Sequence, residues 1–406
     1  MPITEELDLS RAATKILLLE GVHPAAVTAL QESGFQQVER IEGALERAAL
    51  IDKIRDVQVI GIRSRTKLTP EVLAEARQLM AIGCFCIGTN QVALGLAAER
   101  GIPVFNAPHS STRSVAELVI GLTVMLMRKT FAKSMAAHRN EWKKTAAGAF
   151  EVRGKTLGIV GYGHIGSQVS ILAEAMGMQV IFYDIQAKLP LGNARAKRSL
   201  EEVLSQADLV TLHVPEDETT RLMINEETIR AIKPGAYLIN ASRGTVVAID
   251  ALAAALRSGQ VAGAAVDVFP TEPKGSGQRF DSPLVGLDNV ILTPHVGGST
   301  MEVQRNIGLE VAGRLVSFTS RGSTEGAVNF PQVNLPTKDR TRRILHIHHN
   351  IPGVLGRINE AIASNEINVL GQYLATDSKI GYVVLDIEKG AGFARPLLEG
   401  IERGVG

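Results

Sequence analysis

Three short segments in the second half of the chain each end an apolar run on a residue that can do acid–base or electrostatic chemistry. Asn240-Ala241-Ser242-Arg243-Gly244 supplies a guanidinium. Asp267-Val268-Phe269-Pro270-Thr271-Glu272-Pro273 supplies carboxylates in a proline-stiffened turn. Thr293-Pro294-His295-Val296-Gly297-Gly298 supplies an imidazole. Moving a hydride between an alcohol carbon and a nicotinamide asks a protein for such a set: an acid/base for the hydroxyl proton, a group that orients it, and a cation for the substrate. His295, Glu272 and Arg243 are therefore the candidate catalytic residues. Taken singly, each has a plainer explanation: a structural His, a turn-capping Glu, a surface Arg. Their recurrence at three successive strand ends favours function, because ligands of open α/β sheets gather at the carboxyl ends of strands.

The stretch Leu157 to Gly166 is an apolar strand running into Gly161-Tyr162-Gly163-His164-Ile165-Gly166, with a helical pattern after it. A second apolar run, Val180 to Tyr183, ends on Asp184, eighteen residues past Gly166. Gly161 permits a tight turn, Gly163 a close approach to a pyrophosphate, and Gly166 close helix–strand packing. The helix start presents N–H groups and a positive dipole end to phosphates. Asp184 can accept from both ribose hydroxyls and would repel a 2′-phosphate, so the expected cofactor is NAD. A glycine turn alone is weak, since glycine supplies 39 of the 406 residues. The flanking strand, helix and acid are what make it specific.

These groups need elements to hold them. The length allows two or three domains. From residue 14 to 104, strand patterns (Lys15–Leu19, Val57–Ile62, Met80–Ile82) alternate with helical ones, as in an α/β unit with a parallel sheet. Asn106 to Thr112 reads as a linker, and Ser114-x-x-Glu117 as a capping box for the apolar helix Val115–Met127. Six strand patterns between residues 155 and 294 make a dinucleotide domain, and a helix over 300–319 leaves it. Residues 325–341 read as a second linker. The tail reads β-α-β-β-α, ending on a helix over 393–403, one strand short of a ferredoxin-like unit.

Lys plus Arg number 43 and Asp plus Glu 42, so bulk charge points to no nucleic-acid or membrane partner. The two cysteines, Cys84 and Cys86, lack the His/Cys cluster of a metal site, and no metal is expected. They read as reduced cytosolic thiols. The first ten residues show no signal-peptide core, and residues 115–127 are too few to span a bilayer. The expected location is cytoplasmic. Trp142, the lone tryptophan, stands in a polar stretch and suggests a subunit-interface anchor.

The motifs G-Y-G-H-I-G, N-A-S-R-G-T, D-V-F-P-T-E-P and T-P-H-V-G-G-S-T together resemble the D-isomer-specific 2-hydroxyacid dehydrogenase family. Ile60–Thr66, Ala81–Gln91, Phe105–Pro108 and the tail His346–Leu355 are similar to its bacterial phosphoglycerate-oxidising branch, which carries a serine-binding ACT domain. The resemblance implies a Rossmann-type dinucleotide domain (109–298) inserted in a flavodoxin-like substrate domain (1–108 and 299–330), with an α+β ferredoxin-like ACT tail (342–406) lacking its last strand. It implies NAD-dependent oxidation of 3-phospho-D-glycerate to 3-phosphohydroxypyruvate, the first step of L-serine biosynthesis. His295 would be the general base, Glu272 would favour its imidazolium, and Arg243 would hold the substrate carboxylate. His164, Ile165, Asp184, Ala241, Ser242, Arg243, Asp267, His295, Gly297 and Gly298 would line the NAD site with the glycine turn.

The substrate's phosphate would fall to Arg63 and Arg65, flanking Ser64, because a guanidinium fork suits phosphate. Asn106 and Lys144 are further substrate candidates. L-serine would bind as effector through His348, Asn350 and Asn368, in a homo-oligomer that the resemblance makes a tetramer. The chain departs from the family in having Ala93 where an acid usually follows G-T-N-Q-V, in the glycine-poor linker Lys338-Asp339-Arg340-Thr341, and in the absent last strand. The rival readings are a dehydrogenase for another 2-hydroxyacid, including 2-oxoglutarate reduction, and a non-catalytic NAD-sensing corepressor on the same fold.

Overall fold

The structure, a computed structural model, describes residues 11–273, 277–336 and 341–388. The chain forms two compact units, residues 1–110 with 304–406, and residues 111–303.

The first unit begins with β1 (Lys15–Leu18), α1 (Pro24–Glu32), β2 (Gln37–Arg40), α2 (Arg47–Ile54), β3 (Val59–Ile62), α3 (Pro70–Glu75), β4 (Ala81–Cys84), α4 (Leu94–Glu99) and β5 (Val104–Phe105). The five strands are parallel, in the order β2-β1-β3-β4-β5. β3 and β4 are buried at every position, as strands covered on both faces must be. The edge strand β2, Gln-Val-Glu-Arg, alternates exposed and half-buried positions and buries none fully. It escapes sequence reading because it has one apolar residue, and β5 because it has two residues. The order reverses at β1: the chain runs out to β2 and returns to β3 on the other side.

The second unit holds α5 (Thr112–Met127), α6 (Thr130–His138), β6 (Thr156–Val160), α7 (His164–Ala175), β7 (Gln179–Tyr183), β8 (Arg195–Ala196), α8 (Leu200–Gln206), β9 (Leu209–Leu212), α9 (Glu226–Ala231), β10 (Ala236–Asn240), α10 (Ile249–Ser258), β11 (Val261–Val266) and β12 (Val290–Leu292). All seven strands are parallel, ordered β12-β11-β10-β9-β6-β7-β8. The six expected strands are present and β8, two residues long, is added at the edge. Here the order reverses between β6 and β9. The expected capping box at Ser114 does not form. α5 starts three residues earlier, behind Ser111, which makes no side-chain cap. Ser114 instead meets Thr300 at 2.9 Å, and Glu117 pairs with Arg113 one turn back.

α11 (Met301–Arg321) leads back to the first unit, whose tail comprises β13 (Thr341–His349), α12 (Val354–Ser364), β14 (Val369–Thr376) and β15 (Ile380–Glu388). Its sheet is antiparallel, ordered β13-β15-β14. Val354, Ile358 and Ile362 of α12 pack on Val383 and Leu385. Tyr382 and Asp386 lie on the opposite face: the Tyr382 hydroxyl donates to the Gly322 carbonyl (2.7 Å), and Arg343 binds Asp386 through two nitrogens (2.6 and 2.9 Å). The expected helix over 393–403 lies outside the described residues.

Candidate active site

The glycine turn follows β6 at the point where the strand order reverses, the usual ligand crevice of such sheets. Gly161 has φ +91°, and a Cβ there would collide with the His213 carbonyl after β9. A Cβ on Gly166 would collide with the Gly161 carbonyl, so that glycine sets how closely α7 meets the turn. A Cβ on Gly163 would meet no protein atom within 4 Å, so its own chain does not demand a glycine there. Gly163 is the N-cap of α7 and no side chain caps that end. His164 opens the helix, and Ile165 packs into the core beneath it. Asp184, just past β7, accepts from the Tyr162 N–H (2.8 Å) and the Gln186 N–H (2.8 Å). Its carboxylate is thereby tied to the glycine turn, and it remains only half buried. An uncapped helix start beside a fixed acid fits a dinucleotide's pyrophosphate and ribose.

The catalytic candidates lie past three adjacent strands, β10, β11 and β12. Their loops are stitched together: the Asp267 N–H donates to the Asn240 carbonyl (2.9 Å) and the Thr293 N–H to Val266 (3.1 Å). Buried Asn240 accepts from the Ser242 N–H and hydroxyl and donates to the Arg243 carbonyl (3.0 Å). Ser242 is thus absorbed in shaping the turn, and Ala241 spans it. One Arg243 nitrogen donates to the Ser242 carbonyl (2.7 Å), and four of its five N–H donors remain for other use. Gly244 packs directly on the Phe269–Pro270 backbone, where no Cβ fits.

Asp267, 1% exposed, takes three donors: the Thr293 hydroxyl (2.6 Å) and the N–H groups of Val296 (2.8 Å) and Gly297 (2.9 Å). It fixes the loop that carries His295 and the Gly297-Gly298 pair. His295 itself has φ +53°, rare for a non-glycine residue. Its N–H donates to the carbonyls of Asp267 (2.8 Å) and Thr293 (3.0 Å). Its Nδ1 lies 2.9 and 3.1 Å from the two Glu272 oxygens. A carboxylate only accepts, so Nδ1 carries a proton and Nε2 is the nitrogen available for exchange. Glu272 is itself steadied by the Phe269 N–H (3.1 Å). The pair borders a cavity of about 410 Å³ walled by Phe269, Phe280, Leu292 and Pro294.

In the first unit, Arg63, Ser64 and Arg65 form a loop at the carboxyl end of β3. Arg65 and Ser64 are exposed and Arg63 half buried. Asn106 is 7% exposed, and its amide donates to the Ile87 carbonyl (2.6 Å), holding a neighbouring loop. Lys144 lies in the second unit, in an exposed segment next to Trp142. His348 is the next-to-last residue of β13 and pairs with Gly381, and Asn350 donates to the Asp377 carbonyl (2.7 Å). Asn368 donates to Glu388 (3.0 Å), at the far end of β15. Gly381 and Ile387 mark the two ends, about 20 Å apart at a strand's rise per residue. One chain therefore does not bring the three effector candidates together. Both cysteines are unpaired, and burial pushes both thiols up, so neither is a ready nucleophile. Among the described residues, no group of three His, Cys, Asp or Glu could hold a metal, and no helix is long and apolar enough to cross a membrane.

Sequence reading missed Asn240, Gly244 and Thr293, which shape the catalytic loops. It also missed Glu20 and Gln91, which hold the Arg63 loop. Gly244 and Asn240 stood inside a motif already singled out, so a search for turn-shaping neighbours would have found them. Glu20 left only the faint signal of an acid directly after a buried strand.

Residues 120–297 match the D-isomer specific 2-hydroxyacid dehydrogenase, NAD binding domain family. Residues 344–401 match the AHAS small subunit-like ACT domain. The D-3-phosphoglycerate dehydrogenase of Haemophilus influenzae is 54% identical over 98% of this chain and 96% of its own length. That of Escherichia coli K12 is 54% identical over 98% and 97%. A D-lactate dehydrogenase from Aquifex aeolicus, solved with NAD and lactic acid, superposes with a TM-score of 0.65 at 28% identity, covering 78% of this chain and 100% of its own. The cofactor is NAD, in keeping with the uncapped α7 and Asp184. With the glycine turn, the His295–Glu272 pair and this likeness along almost its whole length, the chain belongs to the D-3-phosphoglycerate dehydrogenase family of NAD-dependent D-isomer-specific 2-hydroxyacid dehydrogenases.

Proposed function

We propose that the protein oxidises 3-phospho-D-glycerate to 3-phosphohydroxypyruvate, the first step of L-serine biosynthesis. The observation that carries this is His295 held by both oxygens of Glu272 past β12, with Arg243 two strands away. NAD, when bound, supplies the hydride acceptor. His295 Nε2 takes the hydroxyl proton as the carbonyl forms, and Glu272 stabilises the resulting imidazolium. Arg243 holds the substrate carboxylate, whose charge its guanidinium matches. Arg63 and Arg65 take the phosphate. In this reading residues 1–108 and 299–330 serve the substrate, 109–298 the dinucleotide, and 342–406 regulation.

L-serine is the effector in this reading, bound by His348 and Asn350 of one copy and Asn368 of another. The separation of these residues supports a site shared by two chains, and so a homo-oligomer, a tetramer by family likeness. Trp142, 87% exposed, suits a subunit contact. The unpaired cysteines suit the cytoplasm.

The test is NADH formation with 3-phosphoglycerate against unphosphorylated glycerate. The expected kcat/KM advantage of the phosphorylated substrate is about 10²-fold or more. Equal values would hand the site to another 2-hydroxyacid, and no turnover with either would favour a sensing protein.

A further inference from the structure

Glu20 lies just past β1 with φ +61°, followed by Gly21 at φ +63°. A left-handed glutamate is uncommon and persists only where its surroundings over-determine it. Here the N–H groups of Leu19, Glu20 and Gly21 donate to Gly61 (2.8 Å), Gly43 (3.0 Å) and Ile41 (3.0 Å). The side chain turns inward and the residue is 4% exposed. Its Oε1 accepts from the N–H groups of Arg63 (3.1 Å) and Thr66 (2.8 Å), and its Oε2 from that of Arg65 (2.9 Å). Burial works against the charge. Hydrogen bonds from Thr66, Arg65 and Arg63 outweigh it and hold the carboxyl below the usual carboxylate range. Arg65 Nε is 3.7 Å away on a mostly exposed side chain, so that ion pair adds little. From another direction Gln91 donates to the Arg63 carbonyl (2.8 Å).

The loop from Arg63 to Thr66 is thus fixed at four backbone points by two side chains from distant segments. β1 and β3 are the strands between which the order of this sheet reverses, and ligands of open α/β sheets bind beyond the carboxyl ends at such a point. Glu20 and the arginine loop both lie there. Only an ionised carboxylate accepts at both oxygens. A glutamine would turn its NH₂ against at least one of the three donors.

We propose that Glu20 is a positioning residue for substrate-anion specificity: it sets the backbone from which Arg63 and Arg65 reach a phosphate and does not itself touch the substrate. This rests on the reading of those arginines above. The sign of the effect separates positioning from bulk charge. A buried negative charge near an anion site would by itself repel the phosphate, so neutralising it would tighten binding. Positioning demands the reverse.

The experiment measures kcat and KM for 3-phosphoglycerate and for glycerate in wild type, Glu20→Gln, Arg63→Ala and the double variant. Glu20→Gln should raise KM for 3-phosphoglycerate about tenfold, leave its kcat within about threefold, and leave glycerate KM within about twofold. In the Arg63→Ala background the same change should add less than it does alone, because the part of its effect that passes through Arg63 is already lost. An unchanged or lowered KM in Glu20→Gln, with a selective rise in Arg63→Ala, overturns the proposal and leaves the arginine reading standing. Equal losses on both substrates in Glu20→Gln overturn it in favour of a purely structural role. Equal losses in Arg63→Ala remove the arginine reading and the proposal with it. Should Glu20→Gln fail to fold, judged by lost NADH binding, Gln91→Leu decides. A rise of about threefold in KM confined to the phosphorylated substrate supports the proposal, and an unselective or absent change overturns it.

Discussion

In the five-stranded sheet, a carboxylate leaving β1 fixes the loop of its neighbour β3. In the seven-stranded sheet, a carboxylate leaving β11 fixes the loop of its neighbour β12. Glu20 and Asp267 use one device: both are buried and both take two or more backbone N–H groups. They differ in where the unusual backbone lies. In the first sheet the clamp is left-handed, and Arg63 to Thr66 are ordinary. In the second the clamp is ordinary, and the clamped residue, His295, is left-handed. Such a conformation costs about 1–3 kcal/mol. An arginine has four side-chain torsions to find an anion, so a stiff loop beneath it suffices. In the proposed mechanism His295 transfers a proton; such a group must be aimed to within fractions of an ångström, and it is the residue whose own backbone is left-handed.

That contrast can be broken most decisively at the clamped residue. His295→Ala should lower kcat by roughly 10²–10⁴-fold, the usual share of a positioned acid/base, with NADH binding, read by fluorescence titration, almost unchanged. Retention of a third of wild-type kcat would remove His295 from the role. Asp267→Asn should follow, lowering kcat by about 10–10² through a mis-aimed imidazole. A kcat equal to wild type would show that the loop keeps its shape unaided, and the likeness to Glu20 would dissolve. Asp184→Ala should shift the kcat/KM ratio of NAD to NADP by about tenfold towards NADP, since the acid is what repels the 2′-phosphate. An unchanged ratio would assign selection elsewhere.

The smallest effect concerns pH. Burial pushes the imidazole of His213, whose carbonyl lies against Gly161, down to about 3, against an ordinary value near 6.5. Between those values the unfolded chain binds a proton that the folded chain does not, so stability falls as pH drops below about 6.5. Glu20 works in a different window. Its depressed carboxyl stabilises above the ordinary Glu value near 4.5, and that stability is lost only as pH falls through its folded value. Thermal melts from pH 7.5 to 5.0 should show a falling midpoint in wild type and a shallower fall in His213→Gln. Identical slopes would mean that His213 is not held neutral.

The legible parts of the site were those whose chemistry is written in contiguous residue types. The glycine turn with Asp184, and the acid, base and cation past three apolar runs, needed only spacing. Glu20 acts on Arg63 across 43 residues, and its partners are backbone N–H groups, which leave no trace in side-chain identity. Short or edge strands were equally silent: β2 has one apolar residue, and β5 and β8 have two residues each. At Ser114 and Glu117 the local pattern misled because Thr300 and Arg113, not the helix end, hold those side chains. Asn106 was read as a substrate residue; one N–H of its amide holds Ile87, a local tie that residue types do not announce.

Gly244 has a consequence for how this protein can change. Its Cα rests on the peptide joining Phe269 to Pro270, so the arginine turn and the turn bearing Glu272 are in hard contact, backbone to backbone. No side chain stands between them to give way. A mutation that displaces either turn must displace the other, and a designer seeking a new substrate cannot widen one side of the arrangement alone. In the proposed reading, variation in specificity is therefore channelled away from the backbones of these two turns and towards exposed side chains elsewhere, such as Ser64 and Arg65, which can change while Glu20 holds the loop beneath them.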